Sequence, residues 1–317
     1  MITTLTANPS IDRSAALTAP LSRGGVHRLG SIHDEPGGKG VNVARVLASS
    51  DVPATAVLPM GSEDPLRRLL DHAGVTHAAH PVAHPVRTNL TLTEADGTTT
   101  KLNEPGAHLS PADITSLEAI LDGFARRSRW VALCGALPPG APTDWYARLV
   151  ERLHRAGVLV AVDTSDAPLT ALAEHFPASA PDLLKPNAEE LTQLTGGDPV
   201  ELEQAAAHGD LGPTIAAAER LRELGVGAVL ATLGGAGAVL VTDEGTWTAQ
   251  APRITVRSTV GAGDSALAGY LAGDMRGASP RDRLALAVAA GSAAAALPGT
   301  GLPGTADIDP SRITITP

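Results

Sequence analysis

Trp130-Val-Ala-Leu-Cys134-Gly-Ala-Leu-Pro-Pro-Gly140, then a helical run over 143–155, then Val158-Leu-Val-Ala-Val162-Asp163, is the stretch that decides the fold. A short apolar run, a turn, a helical period and a second apolar run make a βαβ unit. Two parallel strands joined this way need a sheet with helices laid against it. The alternation extends in both directions. Downstream come a helix over 168–175, a short strand at Leu183-Leu184, a helix over 213–224 and a strand from Ala228 to Thr232. Upstream come strands at Ile2 to Thr6 and Ala54 to Pro59, a helix over 64–73, and a helix over 113–126 opened by Ser110-Pro-Ala-Asp113. The expected fold is α/β: a doubly wound, mostly parallel sheet flanked by helices. The run between Gly196 and Gly212 is polar and poorly periodic and reads as a surface excursion.

In such a sheet the residues just past each strand share one edge, where ligands bind. Asp163, Lys185, Asn187, Glu190 and Thr232 fall there. Glu190 stands one helical turn after Asn187, so both reach the same water or metal. A carboxylate beside an amide suits Mg²⁺ held through waters. A helix cap explains the same pair.

Arg257-Ser-Thr-Val-Gly-Ala-Gly-Asp264-Ser-Ala-Leu-Ala-Gly269 is the second stretch of consequence. A β-rich run from Ile254 to Val256 gives way to a helical pattern from Ser265, and Gly261, Ala262 and Gly263 leave the backbone bare between them. Unpaired N–H groups and the helix dipole make a seat for an anion, phosphate above all. Asp264 sets a carboxylate beside that seat, able to take a proton from a hydroxyl while the N–H groups hold developing negative charge. A glycine turn with an acidic cap is the alternative.

Three further segments add polar groups. Asn8-Pro-Ser-Ile-Asp12 follows the first strand, and Asp12 either grips sugar hydroxyls or forms a turn. Glu35-Pro-Gly-Gly-Lys39-Gly-Val-Asn42 crowds glycines at the mouth of a helix, with Lys39 and Asn42 placed to hold a phosphate or a sugar oxygen. It is not a Walker A loop, because no Ser or Thr follows the lysine. Alternation from Arg87 to Glu94 and from Thr98 to Gly106, about Asp96-Gly97, predicts a hairpin. Arg87 and Asn89 share one of its faces, and the hairpin could close over a ligand.

Composition removes other classes. A net charge of −10 with no basic block argues against nucleic acid. One cysteine, Cys134, rules out an internal disulfide. His72, His77, His80 and His84 lie among prolines without an acidic partner at ligand spacing, so they read as solvated loop histidines. Gly234-Gly-Ala-Gly237 precedes a hairpin pattern and is no dinucleotide fingerprint. The start reads as a strand and no run reaches membrane-spanning length, so a cytoplasmic protein is expected.

Taken in order, Asn8-Pro-Ser-Ile-Asp12, Pro36-Gly-Gly-Lys-Gly-Val-Asn42, Arg87-Thr-Asn89, Lys185-Pro-Asn-Ala-Glu-Glu190 and Ser258-Thr-Val-Gly-Ala-Gly-Asp264 resemble the ribokinase/PfkB carbohydrate kinases, in the 1-phosphofructokinase and tagatose-6-phosphate kinase branch. The resemblance spans nearly the whole chain. It implies one ribokinase-like domain over 1–317, with a small β lid from about 10–35 and 86–106, that moves the ATP γ-phosphate to a sugar hydroxyl with Mg²⁺. It implies Asp264 as base and the backbone of Gly261, Ala262 and Gly263 as anion hole. Asp12, Gly38, Lys39, Asn42 and Asn89 would hold the sugar, and Arg28 and Arg87 would face its existing phosphate. Lys185 and Asn187 would lie near the nucleotide phosphates, Glu190 and Asn187 would place Mg²⁺ through water, and Thr232, Gly234 and Gly263 would line the ATP site. Fructose 1-phosphate leads as acceptor, with tagatose 6-phosphate and fructose 6-phosphate as rivals. A sensor without catalysis is the reading of another class. A monovalent cation and a homodimer formed through the lid belong to the same expectation. Thr91, where relatives usually carry a lysine, and Cys134-Gly-Ala136, where a Ser-Gly-Ser turn is usual, depart from the pattern and bear on which sugar phosphate is preferred.

Overall fold

The computed structural model describes residues 1–317. Its strands are β1 (Ile2–Thr6), β2 (Ser10–Leu17), β3 (Leu29–Gly37), β4 (Ala54–Pro59), β5 (His77–His80), β6 (Arg87–Thr93), β7 (Thr99–Asn103), β8 (Trp130–Cys134), β9 (Leu159–Asp163), β10 (Leu183–Leu184), β11 (Val229–Thr232), β12 (Ala238–Val241), β13 (Thr246–Gln250) and β14 (Thr314–Thr316). Its helices are α1 (Lys39–Ser49), α2 (Pro65–His72), α3 (Pro111–Ala125), α4 (Trp145–Arg155), α5 (Asp166–Glu174), α6 (Ala188–Thr195), α7 (Pro199–Ala207), α8 (Gly212–Glu223), α9 (Ala262–Met275) and α10 (Pro280–Ala295).

Ten strands form the main sheet in the order β14-β13-β12-β11-β10-β9-β8-β1-β4-β5. It is parallel from β11 through to β5 and antiparallel from β11 to β14. Its strands carry apolar residues on both faces, as a sheet covered on both sides requires. Along β8, Val131 and Leu133 enter the core under α3 and α4, while Trp130, Ala132 and Cys134 enter the core under α9 and α10. With so few aromatic residues, alanine and branched aliphatics fill both cores.

β2, β3, β6 and β7 leave the main sheet and form a second one in the order β3-β2-β6-β7. Asp96-Gly97 turns β6 into β7 as the hairpin pattern predicts, with Thr91 opposite Lys101. β2 and β6 run parallel, with Ser10 opposite Arg87 and Asp12 opposite Asn89. Residues directly opposite share a face, so Asp12, Arg87 and Asn89 all project from one side of this sheet.

Four local readings are corrected. Ile254 to Val256 is not a strand; the segment runs beside α10, with the Arg257 and Ser258 N–H groups bonded to Ala295 O. The polar run after Gly196 contains α7, started by Pro199 and by an Asp198 carboxylate that accepts from the Val200 N–H at 2.8 Å. A two-residue apolar face, Leu202 and Ala206, hid it. His77 and His80 are not in a loop: they belong to strand β5 and are half-buried, and His80 Nε2 lies 2.8 Å from Asp113 Oδ1. Ser10 opens β2, so Asp12 sits within a strand of the second sheet and not in a turn. No helix is long and apolar enough to cross a membrane.

Candidate active site

The main sheet reverses its winding between β1 and β8, where ligands collect in open α/β folds. Gly135, just past β8, lies against the base of the Lys39 side chain: a Cβ added there would meet Lys39 Cβ at 3.7 Å. This switch point gathers the N-termini of α1 and α9 and the ends of β9 and β10.

Gly261 adopts a left-handed φ of 74° and ends the extended segment, so α9 begins at Ala262. The expected start at Ser265 is therefore three residues late, and Asp264 lies in the first turn. The Ser265 N–H bonds Gly261 O at 2.8 Å and the Ala262 N–H makes a long bond of 3.4 Å to Thr259 O. No backbone acceptor meets the N–H groups of Gly261, Gly263 and Asp264, so of the expected trio Gly261, Ala262 and Gly263 only Ala262 is engaged. The free donors of Gly263 and Asp264, in the first turn at the positive end of a helix, have the form of an anion seat. Beneath them lies the Lys185 ammonium, which a Cβ on Gly263 would meet at 3.2 Å.

Asp264 is buried, and one of its oxygens, Oδ2, accepts from Asn42 Nδ2 at 2.8 Å. Burial, with the Asp163 charge second, pushes its carboxyl up to about 6, against the opposing pull of Lys39 and the Asn42 bond. Asp163 is the centre of the charge cluster. It is 1% exposed, at the end of β9. Lys39 Nζ donates to its Oδ1 at 2.7 Å, and Lys185 Nζ lies 3.1 Å from its Oδ2. The second contact is off the hydrogen-bonding angle, so Oδ2 has an ion-pair partner but no aligned donor. Burial opposes the charge on Asp163, but Lys185 and Lys39 outweigh it and hold the carboxyl below its ordinary value. The same cluster keeps Lys39 protonated: burial works against the charge and the carboxylates of Asp163, Asp264 and Glu190 overcome it. The sequence places Asp163 on the ligand edge without a role. Its pairing with Lys39 spans 124 positions and has no local signature.

Asn187 and Glu190 form a capping box on α6: Asn187 Oδ1 accepts from the Glu190 N–H at 2.8 Å, and Glu190 Oε2 accepts from the Asn187 N–H at 2.9 Å. The cap thus engages the Asn187 oxygen and one oxygen of Glu190. Glu190 Oε1 faces Lys39 Nζ at 3.9 Å, and burial, then Asp163, raises its carboxyl above the ordinary range. No group of three or more His, Cys, Asp or Glu converges as a metal site. A divalent ion would have to arrive with most of its ligands, as Mg²⁺ does on nucleotide phosphates. Glu190 Oε1, which the cap leaves free, fits that role; the Asn187 oxygen is taken by the cap and the buried Asp163 carboxylate by its two lysines.

A cavity of about 270 Å³ opens beside the anion seat. Thr232, Gly234 and Gly263 stand at its polar end, and Val256, Val288 and Gly291 are among its apolar walls. A strip of mostly apolar surface ending at helix N–H groups has the form of a nucleotide slot. Thr232 Oγ1 makes only a long contact of 3.5 Å to Pro186 O.

On the lid face, Asn89 Nδ2 donates to Asp12 Oδ1 at 3.0 Å and Ser10 Oγ to the same oxygen at 2.7 Å. Gly37 closes over this carboxylate so tightly that an added Cβ would meet it at 2.3 Å, and Gly38, with a φ of 104°, turns the chain into α1. Asn89 Oδ1 is buried without a partner. The Arg87 guanidinium forms no ion pair; its Nη1 makes a 3.4 Å bond to Glu104 O and its Nε has no acceptor. Burial draws it below its ordinary value while Asp12 pulls the other way. Buried polar atoms without partners are rare and call for a ligand or water. Arg28 lies apart, exposed in the loop between β2 and β3 and without an ion pair. The structure thus joins Lys39, Asn42, Lys185, Gly263, Asp264 and Glu190 into one cluster, sets Asp12, Arg87 and Asn89 together on the lid, and leaves Arg28 outside both.

Comparison with known proteins agrees with this geometry. Residues 6–306 match the model of the pfkB family carbohydrate kinases. A 1-phosphofructokinase of Xanthomonas campestris pv. campestris is 38% identical over 85% of this chain and 82% of its own length. A 1-phosphofructokinase of Haloferax volcanii is 35% identical over 97% and 95%. The crystal structure of phosphofructokinase-2 from Escherichia coli in complex with substrates and products superposes with a TM-score of 0.85 at 29% identity, covering 97% of this chain and 96% of that one. An extended motif set, a β lid over a parallel sheet and a buried aspartate at a bare helix start converge with these matches: the chain belongs to the pfkB family of carbohydrate kinases.

Proposed function

We propose that the protein transfers the γ-phosphoryl group of ATP to fructose 1-phosphate, giving fructose 1,6-bisphosphate and ADP. The observation that carries the acceptor class is the Arg87 guanidinium, a cation without a carboxylate partner on the same lid face as the Asp12–Asn89 pair. The pair suits sugar hydroxyls and the free cation suits a phosphate already on the sugar. The 1-phosphofructokinase relatives support fructose 1-phosphate over other hexose phosphates.

The chemistry follows from the residues. Phosphoryl transfer needs alignment and charge neutralisation more than covalent help. The acceptor hydroxyl gives its proton to Asp264, its oxygen bonds to the γ-phosphorus, and the bond from that phosphorus to the β–γ bridging oxygen breaks, so the electron pair leaves on ADP. The N–H groups of Gly263 and Asp264 hold the oxygens of the transferring group, and Lys185 lies below them to offset their charge. Asn42 fixes the Asp264 carboxylate through Oδ2, which frees Oδ1 for the proton. Bound Mg²⁺ would neutralise the nucleotide phosphates, with Glu190 Oε1 the side-chain oxygen best placed to order its waters. The lid excludes water that would otherwise consume ATP.

A homodimer through the lid belongs to this reading. The lid face opposite Asp12 exposes Ile32, Leu102 and Leu29, an apolar patch on a small sheet. Leu102→Glu should halve the mass seen in sedimentation; an unchanged mass removes the lid dimer. A cytoplasmic setting fits a kinase with one buried, unpaired cysteine.

The test of function is a panel of free and phosphorylated ketohexoses with ATP and Mg²⁺, read as kcat/KM. Fructose 1-phosphate should lead, and free fructose should fall short by about 10²-fold or more, because a site built for a charged group is left unpaired without it. Equal use of free fructose contradicts the phosphate reading, and no turnover with any acceptor favours a sensor.

A further inference from the structure

Between α10 and the C-terminal strand the chain passes through Gly299-Thr-Gly-Leu302, a loop that touches both halves of the site. Thr300 Oγ1 donates to Glu35 Oε2 on lid strand β3. Leu302 lies against the turn that opens the anion seat, where a Cβ added to Gly261 would meet Leu302 Cδ2 at 2.6 Å. Gly299 lies beside Ser14 of β2, with 3.8 Å from its virtual Cβ to Ser14 Oγ. One short loop therefore bears on the lid at one end and on Gly261 at the other.

Glu35 is the joint. It stands opposite Asp12 in the β2–β3 register, on the same lid face. Its second oxygen, Oε1, accepts from Arg45 Nη2 at 3.2 Å, and Arg45 Nη1 donates to Pro36 O at 3.1 Å. Arg45 belongs to α1, which also carries Asn42 to Asp264 and Lys39 to Asp163. The carboxylate is thus held from the core by α1 and from the other side by Thr300. None of the residues from 299 to 302 lines the nucleotide cavity.

Transfer requires the acceptor, gripped by lid groups, to meet a phosphoryl group seated at Gly263. An error of an ångström between the two halves is costly to rate. We infer that loop 299–302 is a strap that ties the seating of the lid to the geometry of the anion turn, with Thr300 and Glu35 as positioning residues. The strap acts on the acceptor half of the reaction and leaves the nucleotide half alone.

The test uses the whole enzyme and rests on the proposed kinase activity only in its kinetic arm. Thr300→Val keeps the shape and removes the donor to a charged acceptor. It should lower kcat/KM for fructose 1-phosphate about tenfold, through both KM and kcat, with the KM for ATP changed less than about twofold. Thr300→Ser should recover most of the loss. Glu35→Gln should act in the same direction, and the double variant should lose less than the product of the two single losses, as contacts in one chain do. Unchanged acceptor kinetics in Thr300→Val, failure of serine to rescue, or equal rises in both KM values with a lowered Tm would overturn the strap. If Thr300→Val does not fold, Glu35→Gln carries the same readout. If the unmodified protein turns over no acceptor, the kinase reading falls by itself, and amide exchange decides the strap. Thr300→Val or Glu35→Gln should then speed exchange over 258–264 and over β2 while leaving α3 unchanged. Equal exchange in variant and parent would end the proposal.

Discussion

The core side of the site and its lid side handle charge in opposite ways. On the core side, buried Asp163, Lys185, Asn42 and Asp264 and half-exposed Lys39 form one network in which each charge meets an opposite charge or a donor. On the lid side, Arg87 has no carboxylate, its Nε and Asn89 Oδ1 are buried without partners, and the side chains stand half-exposed. The contrast separates two tasks. On the proposed reaction, the groups that would act on the transferring phosphoryl are set before anything binds, because catalysis gains from dipoles that need not reorganise. The groups proposed to hold the acceptor keep open valences for it to satisfy.

The contrast can be broken most forcefully on the core side. Lys185→Met leaves buried Asp163 with Lys39 as its only cation and removes the positive charge below Gly263. Removing one partner of a buried pair costs about 3–5 kcal/mol, toward the lower end here because Lys39 remains. Chemical denaturation should show that loss and turnover should fall by about 10²-fold or more. Full stability in this variant would mean that the network is not a unit. On the lid side, Arg87→Ala should behave in the opposite manner. The KM for fructose 1-phosphate should rise about ten- to a hundredfold, kcat should change less than about threefold, and Tm should hold, since the guanidinium makes no ion pair to lose. A large Tm drop, or an unchanged KM, would erase the distinction between the two sides.

The pH dependence sharpens the same comparison. With the Asp264 carboxyl pushed up to about 6, the proposed base is lost by protonation below that value, so kcat/KM should show an acid limb near pH 6. A limb near 4 would mean that Asp264 is not the titrating base. Stability moves the other way. A carboxyl raised by burial favours its protonated form in the folded state, so the folded protein is penalised as pH rises from the unfolded value through about 6. Asp264→Asn removes that penalty. Its Tm should exceed the parent's by a few degrees at pH 7–8, and the gain should disappear below about pH 4, where both states of the parent carry the proton. No gain at any pH would place the carboxylate in a wetter setting than the structure shows.

Much of the frame was legible in the sequence because it rests on local patterns. The βα alternation from Trp130 to Thr232 gives the parallel sheet, and Asp96-Gly97 between alternating runs gives the lid hairpin. The bare backbone before Asp264 gives a helix start with unpaired N–H groups, although the helix starts earlier than the apolar period implies. What stayed hidden depends on partners distant in sequence. Ile254 to Val256 has β-forming residues, yet β13 already pairs with β12 and β14 and leaves them no edge. The pattern of Asn187 and Glu190 was visible, but a capping box and a carboxylate–amide ligand pair share the same spacing, and only coordinates show which oxygens the cap engages. Asp163 gains its importance from lysines on two other elements. Arg28, which the resemblance implies would face the sugar's phosphate, lies in an exposed loop apart from both groups of residues.

The central claim is that a buried aspartate at a bare helix start removes the acceptor's proton. Its most direct test is the turnover of Asp264→Asn with saturating ATP, Mg²⁺ and fructose 1-phosphate, alongside calorimetric binding of each substrate. Turnover should fall by about 10²–10⁴-fold while both substrates bind within about threefold of the parent. Turnover close to that of the parent, with binding intact, would contradict the account.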